Sequence, residues 1–91
     1  MTTMRVVARA PGRFGVEVTE GTQITGHTVR VAQAFLDDLL LDGVDQETVV
    51  RETFDFLLER EPAGSILSEF SLDDVTRYFP EFPAELRRRL A

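Results

Sequence analysis

The chain has no cysteine and no lysine, and its only histidine is His27. Without cysteine there can be no disulfides, thiolate zinc sites, iron–sulfur clusters or cysteine nucleophiles, and the composition fits a reducing compartment. Long apolar runs are missing too. No stretch approaches the roughly 18–20 apolar residues that cross a bilayer. The opening MTTMRVVARAPG is interrupted by Arg5 and Arg9 before it could form a signal-peptide core. A soluble, cytoplasmic protein without membrane contact is expected.

What is present describes one small domain. The 91 residues are 43% hydrophobic and 29% charged, inside the ordinary globular range. A chain of this size buries roughly 60–65% of the surface its unfolded form exposes, enough for a single modest core. Residues 1–91 are therefore read as one domain, with a β portion over 1–31 and a helical portion over 32–91. The net charge of −6 is unevenly spread. Residues 1–31 carry four arginines against two acids, residues 32–86 three arginines against fourteen acids, and residues 87–89 are three arginines. A faintly basic first third thus joins a strongly acidic body with a basic tip. The acidic body repels phosphate and anionic lipid, which disfavours broad nucleic-acid wrapping by that part.

The hydrophobic period changes near residue 31. Residues 4–9 (MRVVAR) are rich in β-branched side chains and end at the turn signal Ala10-Pro11-Gly12. Over 13–19 (RFGVEVT), Phe14, Val16 and Val18 alternate with Arg13, Gly15, Glu17 and Thr19, the period of a half-buried strand. Glu20-Gly21 turns the chain. Residues 24–31 resume the alternation, with Val29 and Val31 inward and Thr28 and Arg30 outward. Thereafter Phe35, Leu36, Leu39 and Leu40 recur at helical spacing until Asp42-Gly43. Asp45 is a suitable N-cap for a helix over about 46–60, whose apolar stripe is Val50, Phe54, Leu57 and Leu58, widened by Val49 and Phe56. Glu61-Pro62-Ala63-Gly64 stops it. Ser65 can cap a short turn holding Ile66, Leu67 and Phe70. Ser71-Leu72-Asp73-Asp74 has a capping-box form leading into Val75, Tyr78 and Phe79. Phe82-Pro83 opens a last helix, with Arg87, Arg88 and Arg89 at the end where cations oppose the helix dipole. The expected fold is α+β: an N-terminal antiparallel hairpin or three-stranded sheet, then two main helices and one or two short C-terminal helices.

Little in the chain supports catalysis. A Ser–His–acid arrangement would have to use His27, which lies in a strand with no nucleophile-elbow pattern nearby; a surface or edge histidine with one hydrogen bond is the expectation. Glu52, Asp55 and Glu59 share a helix face but lack a histidine companion, so a solvated face is expected rather than a metal site. The glycines form no phosphate-binding pattern. A non-enzyme without cofactor, metal or small-molecule ligand is expected.

Two segments carry resemblances. HTVRVAQAFLDDLLLDGVDQETVVRETFDFLLERE, residues 27–61, resembles a ribbon-helix-helix module. The resemblance implies a homodimeric DNA-binding regulator or antitoxin whose paired strands enter the major groove, with Thr28 and Arg30 reading bases. Residues 13–19 offer that strand a partner within its own chain instead. FDFLLEREPAGSILSEFSLDDVTRYFPEFPAEL, residues 54–86, is similar to the C-terminal segment of small bacterial proteins of uncharacterised role, through F-x-F-L-L-E-R-E-P, S-I-L and Y-F-P-E in that order. It implies no activity.

The function expected from the residues is protein interaction. Seven phenylalanines are many for so small a core to hide. Tyr78, Phe79 and Phe82 either pack as an aromatic cluster over the long helix, the plainer reading, or form an exposed docking patch, in which case they are the expected contact residues. A homodimer through strand 24–31 or the face of helix 46–60 is a related possibility.

Overall fold

The computed structural model describes residues 2–90. The fold is α+β, with the strands leading and the helices following as the change of period predicts. β1 (Thr2–Ala10), β2 (Arg13–Glu20) and β3 (Gln23–Arg30) form an antiparallel meander. A short β4 (Glu69–Ser71) then adds to β3 in parallel, giving the spatial order β1-β2-β3-β4. β4 is absent from the sequence expectations, because three residues carry too little alternation to register as a strand.

Turn chemistry fixes the meander. Pro11 and Gly12 occupy the two-residue connection of the first hairpin, and Gly12 has φ +71°. Proline followed by a glycine at positive φ is the type II arrangement, whose twist does not match that of the flanking strands. The mismatch is absorbed by a register shift between Ala8 and Ala10. A Cβ on Gly12 would also stand 2.9 Å from the Val31 carbonyl oxygen. In the second hairpin Gly21, at φ +62°, takes the first of the two loop positions, as a type II′ turn requires.

All four helices pack on one side of the sheet. That side presents Val6, Phe14, Val16, Val18, Val29 and Phe70, all buried. α1 (Gln33–Asp38) supplies buried Leu36. α2 (Gln46–Leu58) supplies Val49, Val50, Thr53, Phe54, Phe56 and Leu57. Its N-cap is Asp45, which accepts a hydrogen bond from the Thr48 N–H at 3.3 Å. α3 (Leu72–Tyr78) and α4 (Phe82–Leu90) add Leu72, Val75, Phe82 and Leu86. Among the described residues, no helix covers the other face of the sheet. On it lie Arg5, Val7, Arg9, Arg13, Gly15, Glu17, Thr28 and Arg30.

α1 is shorter than its hydrophobic repeat suggests. The Leu41 N–H donates to the Leu36 carbonyl at 2.8 Å and the Leu40 N–H to the Asp37 carbonyl at 3.1 Å, a Schellman ending. Leu40 occupies the left-handed position of that motif at φ +59° and is 74% exposed, so it is not part of the apolar face. An L-residue there is strained by about 1–2 kcal/mol, only partly offset by the extra unfolded-state entropy of glycine. Leu40→Gly is therefore expected to stabilise the fold by about 0.5–1 kcal/mol, read as a higher urea midpoint. Leu40→Ala should give no such gain.

The phenylalanines are hidden because they pack on one another. Phe56 meets Phe82 at a ring-centre distance of 5.1 Å and Phe79 edge-on at 5.8 Å. Phe35 stacks on Phe82 at 6.1 Å, and Phe54 tilts against Phe70 at 5.8 Å. A charged lid closes the Phe56 cluster. The Arg60 guanidinium lies 3.6 Å from the Phe56 ring centre and reaches Glu81 at 3.4 Å. Arg89 reaches from α4 to Glu59 at 2.7 Å and to Glu85 at 3.2 Å, and Glu85 also pairs with Arg88. Hydrogen bonding by Arg89 holds the Glu59 carboxyl below the usual range, and Arg88 does the same for Glu85. Two of the three arginines of the basic tip thus have specific carboxylate partners, beyond the dipole role expected of them.

Candidate functional site

An apolar cleft of about 340 Å³ opens beside the β4 edge of the sheet. One wall is the end of α2, with Leu57 and the following Glu61. The floor is Phe70 of β4. The turn through Ser65, Ile66 and Leu67 forms a second wall, and Asp74, Val75, Tyr78 and Phe79 of α3 and its C-cap form the third. The two rims are exposed apolar side chains: Tyr78 is 67% and Leu67 49% accessible.

Each wall is fixed by identifiable chemistry. Pro62 ends the α2 run, and the chain makes one 3-10 turn over Ala63–Ser65, closed by the Ser65 N–H on the Pro62 carbonyl at 2.9 Å. The Ala63 N–H is held from the sheet by the Glu20 carboxylate at 3.3 Å. The next anchor is His27. It is only 6% exposed and lies on the helix-facing side of β3, its ring 5.4 Å from that of Phe54. Nδ1 is 2.7 Å from the Leu67 carbonyl oxygen and Nε2 is 2.9 Å from Thr25 Oγ1. A proton on Nδ1 donates to the carbonyl and leaves Nε2 to accept from the Thr25 hydroxyl. His27 is therefore a buried brace with two partners, and the expectation of a surface or edge histidine is corrected. The Thr28 N–H to the Ser68 carbonyl, 2.8 Å, continues the same attachment. On the far wall, the Ser71 N–H donates to the Asp74 carboxylate at 3.0 Å, completing the N-terminal arrangement expected from Ser71-x-x-Asp74. That bond holds the Asp74 carboxyl below its ordinary range.

The two carboxylates at the cleft differ. Asp74 is partly balanced by Arg77 at 3.8 Å. Glu61 has no basic group within salt-bridge distance among the described residues. Burial pushes its carboxyl above the usual range. An apolar cleft carrying an uncompensated, partly desolvated carboxylate is suited to a bulky apolar side chain next to a cation.

The three expected contact residues divide. Tyr78 is the exposed rim and Phe79 half-buried, its ring shared between the cleft and Phe56. Phe82 is fully buried in the aromatic cluster, so it is removed from the contact set. No phenylalanine is exposed: Phe79 and Phe82 pack over Phe56 of the long helix, as the core alternative expects, and only Phe14 lacks an aromatic neighbour among the described residues. The structure brings in Leu67, Ile66, Leu57, Val75 and Glu61, none of them expected at a site. Ile66 and Leu67 read in the sequence only as the apolar residues of a short turn, which gives no sign that one is buried and the other exposed.

Thr28 and Arg30 project from β3 onto the uncovered sheet face, where Arg5, Arg9 and Arg13 also lie. Arg30 pairs with Glu69 at 3.5 Å, while Arg5, Arg9 and Arg13 have no carboxylate partner within 4 Å among the described residues. The strand itself is hydrogen-bonded to β2 on one side and to β4 on the other. Over Thr28–Arg30 both edges of the strand are therefore taken within the chain, by residues 13–15 and by β4, so these residues are not free to form a ribbon with a second copy. No group of three or more histidine, aspartate or glutamate side chains placed to hold a metal occurs among the described residues. Glu59 is committed to Arg60 and Arg89. No described helix is long and apolar enough to cross a membrane. No protein-family profile matches the chain, and comparison with curated proteins and with solved structures gave no match.

Proposed function

We propose that this is a non-catalytic, cytoplasmic protein-interaction module that captures a peptide segment in the cleft between α3 and the turn at Ser65–Leu67. The segment carries a bulky apolar side chain adjacent to lysine or arginine. The observation that carries this reading is Glu61, a partly buried carboxylate without a cation, set in a mainly apolar cleft whose other carboxylate, Asp74, already has Arg77 beside it. The apolar residue occupies the space over Phe70 and Val75, between the rims Leu67 and Tyr78. The basic residue supplies the missing partner of Glu61. The acidic helical body gives the same preference at longer range, favouring cationic segments and slowing anionic ones.

Selection from a displayed random-peptide library tests this directly. The enriched peptides are expected to share an apolar residue beside a basic one, and Tyr78→Ala should weaken their binding by roughly tenfold or more, the size of an exposed aromatic anchor. Binding should depend on pH in a defined direction. The cation needs Glu61 ionised, so affinity is full above its folded-state value and falls as the pH drops through it. Because burial raises that value, the loss begins at a higher pH than an ordinary glutamate would give. Glu61→Gln should remove the pH dependence. No enrichment, or an acidic consensus, would sink the reading.

A further inference from the structure

We propose that β1 is a homodimer interface, pairing antiparallel with β1 of a second copy about a two-fold axis at Val6 and joining the two sheets into one. β1 is nine residues long and lies at the sheet edge opposite β4, with no strand on its outer side among the described residues. From Thr2 to Ala8, short of the register shift before Ala10, the edge is regular and presents unpaired N–H and C=O groups that recruit another strand.

The backbone alternation shows which groups are free. The Val31 N–H reaches back to Gly12 before β2, whereas the Thr28 N–H reaches Ser68 on the opposite side, so odd residues of β3 point toward β2 and even ones away. Carried through the register, in which Val29 faces Phe14, Val16 faces His27, and Val7 faces Gly15, this leaves the even residues Met4, Val6 and Ala8 pointing outward from β1. A two-fold axis at Val6 sets Val6 against Val6 and Met4 against Ala8, aligning those groups for about six inter-chain hydrogen bonds.

The side chains select that register. On the helix-facing side it places the long Met4 opposite Ala8, which is exposed although it points to the same side as the core. On the open face it sets Arg5 against Val7, while Arg9 lies at the register shift and takes no direct partner. An axis at Arg5 would face arginine with arginine, and an axis at Val7 would oppose Arg5 and Arg9; like charges directly opposite destabilise a pair. Arg9, moreover, leans back over its own sheet. Its Nε lies 2.7 Å from where a Cβ on Gly15 would stand, so Gly15 makes room for it and the outer flank of the strand stays clear. The dimer leaves both clefts free, because they lie by the opposite edge.

Light scattering across a dilution series should show a mass twice the 10.3 kDa of the chain at high concentration. Ala8→Pro removes an outward N–H that has no partner among the described residues, and should return the mass to that of one copy with the circular dichroism unchanged. The absence of native cysteine permits a second, independent reading. Under mild oxidation with glutathione disulfide, an equal mixture of Arg5→Cys and Val7→Cys chains should form an inter-chain disulfide, and neither variant alone should. A monomer mass at every concentration, or crosslinking of either variant by itself, would overturn the proposal. If Ala8→Pro prevents folding, the mixed-cysteine experiment decides alone.

Discussion

Phe56→Ala should cost about 3–5 kcal/mol of stability, the range for deleting a fully buried aromatic ring. Phe56 is 1% exposed and sits where α2 meets α4 and the end of α3, in contact with Phe82 and Phe79 and covered by Arg60. Its removal takes away transfer energy and aromatic contacts together. It also opens a void that the surrounding rings cannot fill without leaving Phe35 and Phe82 misaligned. Domains of this size have only about 5–15 kcal/mol in total, so the loss is a large part of the fold. Urea denaturation is expected to show a much lower midpoint with an unchanged slope. A loss below about 1 kcal/mol would mean the aromatic cluster does not organise the helical layer. Phe56→Leu should recover more than half of the loss.

His27→Leu should be the second largest effect, and it connects the core to the cleft. Leucine fills the volume against Phe54 but leaves the Leu67 carbonyl and the Thr25 hydroxyl without the ring nitrogens. An abandoned buried partner costs about 1–3 kcal/mol, which in a domain of this size lowers the melting temperature by roughly 4–24 °C. The distinguishing consequence is local. The turn at Ser65–Leu67 is fastened to the sheet by His27, by the Thr28–Ser68 backbone bond and by Glu20 on Ala63. With the first fastening gone, hydrogen exchange of amides in 65–68 should accelerate more than that of α2, and peptide binding should weaken even where the domain remains folded. His27→Gln, whose amide can still donate toward Leu67, should restore part of the binding. Uniform loss of protection across the domain would assign His27 to general stability alone.

The fold was legible wherever one periodicity ran long enough. Alternation over Phe14–Val18 and the helical stripe of α2 place both elements within a residue or two of their observed limits. Pro11-Gly12 and Gly21 mark both hairpins. Interactions distant in sequence were not legible. β4 exists because Phe70 meets Val29 forty-one positions away, and His27 is buried because the chain returns to set Leu67 against it. A lone histidine between glycine and threonine gives no sign of that return. Leu40 misled for a different reason: its spacing fits the helix, but the Schellman ending turns it outward. The candidate site was half legible. Tyr78 and Phe79 stood out as aromatics near a helix end, yet nothing local separated them from Phe82. Which ring is covered depends on Phe35 and Phe56 arriving from other helices. Glu61 stands in the sequence only as part of a helix stop, since burial of a carboxylate depends on what packs around it.

An apolar residue with a basic neighbour is the occupant proposed for the cleft beside β4. The most direct test is a nitrogen–proton NMR titration of the full chain with a selected apolar–basic peptide. The largest amide shifts should fall on Leu67, Phe70, Val75 and Tyr78, and should be lost with Tyr78→Ala. Shifts confined to the open sheet face around Arg5, Arg9 and Arg13, with the cleft silent, would contradict it.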